Sequence, residues 1–102
     1  MPVAMTSQLH LPPHATVVRN PDPISADLDG EVVILSVDNG RYYNMNEVGS
    51  RIWALVERPI SVAALIDLLV GEFEVEREIC EREVRAFLRE LHAGGLVQIS
   101  DG

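Results

Sequence analysis

Two β-rich runs, Val32 to Val37 and Arg41 to Met45, flank an Asn39-Gly40 pair, and this arrangement constrains the chain more than any other feature. Asn and Gly both tolerate positive φ, so the pair suits a tight type I′ turn and predicts an antiparallel hairpin. A two-residue turn sets Asp38 opposite Arg41, Ser36 opposite Tyr43 and Ile34 opposite Met45. With a side-chain period of two, Val32, Ile34, Tyr43 and Met45 share one face, and Val33, Leu35, Val37 and Tyr42 share the other. Both faces are therefore partly apolar.

After Asn46 the apolar period lengthens to that of a helix. Asn46 is a good N-cap for a segment carrying Val48, Ile52, Leu55 and Val56, widened by Trp53 and closed by Pro59. Ser61 caps a second helix whose Val62, Leu65, Ile66, Leu69 and Phe73 form a buried stripe, with Gly71 near its end. A third helix is expected to begin between Val75 and Cys80 and to run to His92, where Gly94-Gly95 stops it. Its apolar stripe is Val84, Phe87, Leu88 and Leu91. The i,i+4 pairs Glu78/Arg82 and Glu81/Arg85 add about 0.2–0.5 kcal/mol each. Leu96, Val97 and Ile99 then return to the core or add a short strand.

Upstream of the hairpin, Thr16 to Val18 and Ile24 to Leu28 are strand-like, interrupted by Pro21 and Pro23 and followed by an Asp29-Gly30 turn. Met1 to His14 are proline-interrupted and aperiodic. The expected architecture is α+β and winged helix-turn-helix-like, an N-terminal antiparallel three-stranded β-sheet followed by three α-helices. Residues 1–14 are expected to be a flexible arm and 15–102 the domain.

The 102 residues suffice for one core. Sixteen acidic against eight basic residues give a formal charge of −8, which repels phosphate backbones and disfavours nucleic acid as a partner. Cys80 is the single cysteine, so an intrachain disulfide and a cysteine-rich zinc site are excluded, and a reducing cytoplasm fits. No secretory signal and no run of about 18 apolar residues is present, so no membrane association is expected.

Candidate chemistry does not assemble. His10 and His14 sit in the arm and His92 at a helix end, where it favours the C-terminal dipole, and their spacing matches no zinc motif. The glutamates from Glu72 to Glu83 have the density of a solvated helix surface. Gly30, Gly40 and Gly49 form no phosphate-cradling loop. A non-catalytic domain needing neither metal nor other cofactor is the expectation.

Asp29-Gly30-Glu31-Val32-Val33-Ile34-Leu35 and Gly40-Arg41-Tyr42-Tyr43-Asn44-Met45-Asn46-Glu47-Val48-Gly49-Ser50-Arg51-Ile52-Trp53 resemble the PqqD-like family of recognition elements for ribosomally made, modified peptides. The likeness continues through Ser61 to Phe73 and Glu83 to Val97, and covers roughly Thr16 to Ile99. Met45 stands where relatives commonly carry leucine, a volume-conserving change. The resemblance, in which the Tyr-Tyr and Asn-Glu-x-Gly segments favour the lasso-peptide group, implies binding of a precursor's leader peptide and its presentation to a leader-cleaving cysteine protease and an ATP-dependent cyclase.

In that family the leader adds beside the third strand and rests on the third helix, which map here onto Arg41–Met45 and Val84–Leu91. An exposed hairpin edge supplies the backbone groups for strand addition, and apolar pockets supply specificity. The expected peptide-binding residues are Arg41, Tyr42, Tyr43, Asn44, Met45, Val84, Arg85, Phe87, Leu88 and Leu91, with Arg41 and Arg85 steering acidic leader residues. The apolar helix residues fit an intramolecular core equally well. Alternatives are service to another modifying enzyme, such as a radical enzyme, or a DNA-binding winged helix. The latter is disfavoured because the third helix alternates Arg77, Arg82, Arg85 and Arg89 with glutamates.

Overall fold

The tight turn of the molecule lies one hairpin earlier than Asn39-Gly40. In the computed structural model, which describes residues 11–37 and 39–100, β2 (Ile24–Leu28) and β3 (Glu31–Leu35) pair so that Leu28 faces Glu31. Asp29 (φ +58°) and Gly30 (φ +88°) make the two-residue link, both left-handed as a type I′ turn requires. The Asp27 carboxylate accepts from the Gly30 amide at 2.9 Å.

Around Asn39-Gly40 the chain makes a longer loop instead. Ser36 N–H donates to the Arg41 carbonyl at 2.8 Å, Gly40 N–H to the Ser36 carbonyl at 2.9 Å, and Arg41 N–H to the Asn39 side chain at 2.9 Å. Asn39 thus closes the loop with its side chain, in the manner of an Asx-turn, and residues 37–40 separate the strands. β3 and β4 (Tyr42–Asn44) consequently pair Ile34 with Tyr43 and Leu35 with Tyr42, two residues from the tight-turn register. A slip of two preserves the faces, so Ile34 and Tyr43 still point inward while Leu35 and Tyr42 point outward.

The single N-terminal sheet is replaced by two three-stranded antiparallel sheets, ordered β2-β3-β4 and β5-β1-β6. β1 (Thr16–Arg19) leaves the hairpin and pairs with β6 (Val97–Ser100) on one side and β5 (Ile60–Ser61) on the other, Val17 facing both Ile99 and Ile60. Pro21 and Pro23 explain the change of sheet, since neither can donate to a ladder and both interrupt the strand between β1 and β2. Asn20 reinforces the pairing, donating from its side chain to the Gly95 carbonyl at 2.7 Å and accepting from Gln98 at 2.7 Å.

The C-terminal part of the expected arm belongs to the domain. Leu11 is 2% exposed, the Pro12 carbonyl accepts from Ala15 N–H, and the Pro13 carbonyl accepts from Ala63 N–H. Burial of Leu11 against the core anchors 11–14; residues 1–10 of the expected arm lie outside the described residues.

The three helices end where local chemistry stops them. Asn46 caps α1 (Glu47–Leu55) by accepting from Gly49 N–H, and Ser61 caps α2 (Val62–Phe73) by accepting from Ala64 N–H. Gly71 lies inside α2, which stops at Glu74 in the left-handed region (φ +52°). α3 (Arg77–Ala93) closes with a Schellman motif: Leu96 N–H reaches the Leu91 carbonyl, Gly95 N–H reaches that of His92, and Gly95 has φ +76°. Val17, Ile34, Leu65, Leu69, Leu88 and Leu96 join residues of every helix in one core between the two sheets and the helices. Trp53 is buried beneath the Arg19 guanidinium, 4.8 Å from its ring centroid.

Candidate functional site

β4 is an edge strand: β3 flanks it on one side and no described strand on the other. Its junction with α1 is held from within. Met45 N–H donates to the Val32 carbonyl at 2.8 Å, and the Ser50 hydroxyl accepts from Val32 N–H at 2.9 Å while donating to the Met45 carbonyl at 3.3 Å. One α1 hydroxyl therefore fixes the end of β4, and the unpaired edge is presented on a rigid element.

Beside this edge runs a groove of about 550 Å³, walled by the end of β4 and the start of α1 on one side and by α3 on the other. Asn44, Met45, Val48, Gly49 and Ile52 line the first wall, Leu69, Phe73 and Val75 the far end, and Ile79, Cys80, Val84, Ala86 and Phe87 the second. Gly49 permits this closeness, because a Cβ there would sit 3.3 Å from each of Met45 Sδ, Asn46 Oδ1 and Phe87 Cζ. Val48, Val75 and Ile79 are exposed apolar side chains within the lining, an unusual expenditure for a small domain unless something covers them.

The expected site residues separate into three groups. Asn44, Met45, Val84 and Phe87 line the groove, although Val84 is 3% exposed and serves the core as well. Arg41 and Tyr42 are exposed near the β4 edge, Tyr42 at 67%, and Tyr43 turns inward to pack on Gly94. Leu88 and Leu91 are fully buried on the core side of α3, outside the lining. Arg85 also faces away: its Nε donates to the Leu11 carbonyl at 2.9 Å and its guanidinium lies 3.9 Å from Glu81.

Sequence reasoning missed Val48, Phe73, Val75 and Ile79 as groove residues. The available signal was a second helical stripe on α3, Ile79, Glu83, Ala86 and Glu90, running beside the core stripe at i, i+4, i+7 and i+11. The polar members hid it. Glu83 and Glu90 are also the only charged side chains in the lining. Burial pushes the Cys80 thiol, in the α3 wall of the groove, up from its ordinary range.

Away from the groove, two ion pairs brace the helices. Arg51 makes a bidentate contact with Glu72, Nε to Oε1 at 2.8 Å and Nη2 to Oε2 at 2.9 Å, which links α1 to α2 and holds the Glu72 carboxyl below the usual range. Arg77 bonds Asp67 across the α2–α3 turn. Among the described residues no three His, Cys, Asp or Glu side chains gather as a metal ion would need, and no helix is long and apolar enough to cross a membrane.

No curated protein matches the chain. Two solved structures do. One, described as TbiB1 in complex with the TbiA(beta) leader peptide, is 36% identical with a TM-score of 0.73, over 79% of this chain and 94% of that one. Another, described as lasso peptide synthetase B1 complexed with the leader peptide, is 27% identical with a TM-score of 0.70, over 80% of this chain and 96% of that one. The sequence profile of the family described as coenzyme PQQ synthesis protein D matches residues 31–97, from the first residue of β3 through α3 to the first of β6. With the hairpin, the capped α1 and the whole of α3 inside that match, the chain belongs to the PqqD family.

Proposed function

We propose that this domain recognises the leader segment of a ribosomally made precursor peptide without itself performing chemistry. The leader adds to β4 as a further antiparallel or parallel strand and lays alternate side chains into the groove against α3. The observation that carries this reading is the juxtaposition of an unpaired, rigidly held strand edge with a deep apolar groove. Backbone pairing supplies affinity, and the side chains entering the groove supply selectivity. The likeness to two proteins described as complexes with leader peptides supports it.

On this reading the hairpin sheet and the three helices act as a winged-helix-like frame that holds the leader, while separate enzymes, a leader-cleaving cysteine protease and an ATP-dependent cyclase, act on the remainder of the precursor. Arg41, Tyr42 and Asn44 flank the incoming strand, and Val48, Ile79 and Phe87 contact its inward side chains. The family description, coenzyme PQQ synthesis, favours one second reading: the same peptide-holding role in the service of a different modifying enzyme.

Titration calorimetry with the leader peptide of the precursor encoded beside this chain tests the proposal, with a scrambled peptide of equal composition as control. Saturable one-to-one binding of the true leader alone is expected. Equal binding of both peptides, or of neither by the folded domain, overturns it.

A further inference from the structure

The charge of the groove is opposite to that expected from the arginines of α3. Arg85 is occupied by the Leu11 carbonyl and Glu81, and Arg77 by Asp67. The two charged residues left in the lining, Glu83 and Glu90, are solvent-exposed and make no ion pair with any described residue. They stand on one side of α3, seven residues apart, with Ala86 and Phe87 of the lining between them. At helical rise that spacing is about 10.5 Å, or about three residues of extended chain.

A strand crossing this wall passes two carboxylates separated by an apolar interval. One Lys or Arg cannot meet both. Two such residues on the same strand face, two or four positions apart, bracket the spacing and reach it with flexible stems. A leader carboxylate in the same place meets like charge, reinforced by the formal charge of −8 on the whole chain.

Resting on the leader-binding reading, we propose that Glu83 and Glu90 form a selectivity wall, so that the peptide accepted by this domain carries Lys or Arg on the side facing α3 and apolar residues between them. The carboxylates are exposed, so each contributes modestly, on the order of a two- to fivefold change in affinity at low salt. Their larger effect is discrimination, because a carboxylate at the same position loses the attraction and gains a repulsion.

The test measures the dissociation constant of the leader encoded beside this chain by fluorescence anisotropy at about 50 mM and about 500 mM salt, where screening is weak and then strong. Proteins are the native chain, Glu83→Gln, Glu90→Gln, the double variant, and Glu57→Gln as an exposed control near Arg19 and outside the groove. A second peptide has every Lys and Arg replaced by Gln. The double variant is expected to weaken the native leader about five- to twentyfold at low salt and less than threefold at high salt and to bind the neutralised peptide as the native chain does, while Glu57→Gln binds the native leader as the native chain does. Unchanged binding of the native leader by the double variant, equal losses for both peptides, or a tightly bound leader without Lys or Arg overturns the selectivity wall while leader binding stands. Failure of the folded native chain to bind the leader overturns both.

Discussion

Gly94 has no room for a methyl group: a Cβ would lie 2.5 Å from Tyr43 Oη and 3.2 Å from Cζ, although the backbone (φ −84°) suits any residue. Gly94→Ala should therefore act by overpacking and cost about 1–3 kcal/mol in chemical denaturation. In a Tyr43→Phe background the alanine should cost less, because the nearest contact is gone. Ser50 offers a second test. Its hydroxyl is the acceptor for Val32 N–H, so Ser50→Ala leaves a part-buried amide unsatisfied and should cost about 1–3 kcal/mol. The helix caps Asn46 and Ser61 were legible in the sequence because a cap bonds an amide three residues away. The demands on Gly94 and Ser50 were not, because their partners Tyr43 and Val32 lie on a different element.

At the scale of elements, α3 works as a helix with two apolar sides. Leu88, fully buried, belongs to the side that holds the fold, and Leu88→Ala should lose about 2–5 kcal/mol of stability. Ile79 is 42% exposed on the groove side, so Ile79→Asp should keep the denaturation midpoint nearly unchanged while reducing leader binding by about tenfold or more, read by calorimetry. The stripe Val84, Phe87, Leu88, Leu91 located α3 correctly but could not say which side lined the groove, because core and groove walls use the same residue types. The hairpin shows a similar limit. Its face assignment survived because Ile34 and Tyr43 have the parity that burial requires, whereas the register depended on which side chain closed the loop.

The α1–α2 contact through Arg51 and Glu72 gives a pH dependence whose sign follows from the depressed carboxyl. Glu72 titrates lower folded than unfolded, so its contribution is complete above the unfolded carboxylate range and is lost as pH falls through the depressed folded value. Carbon-detected NMR titration should place the Glu72 carboxyl below the ordinary range, and Arg51→Ala should return it there.

For the molecule as a whole, element types and order were readable from periodicity, but the partition of strands between two sheets was not. Nothing in Thr16 to Arg19 names Val97 to Ser100 as its partner, and that pairing is decided by the globally buried Val17 and Val97 together with the prolines that end β1. This long-range pairing also has a kinetic consequence. During synthesis β2 meets β3, and β3 meets β4, within a few residues of leaving the ribosome, so the β3–β4 hairpin can form early. β1 is made first among the described strands yet must wait for β6, the last of them, to cover Val17. Its closing step carries the loop entropy of nearly the entire described chain, which slows the final stage of folding relative to the hairpin. A nascent chain halted before Val97 would hold β2, β3 and β4 already paired beside an open β1 edge, and closure of the β5-β1-β6 sheet would await the arrival of β6.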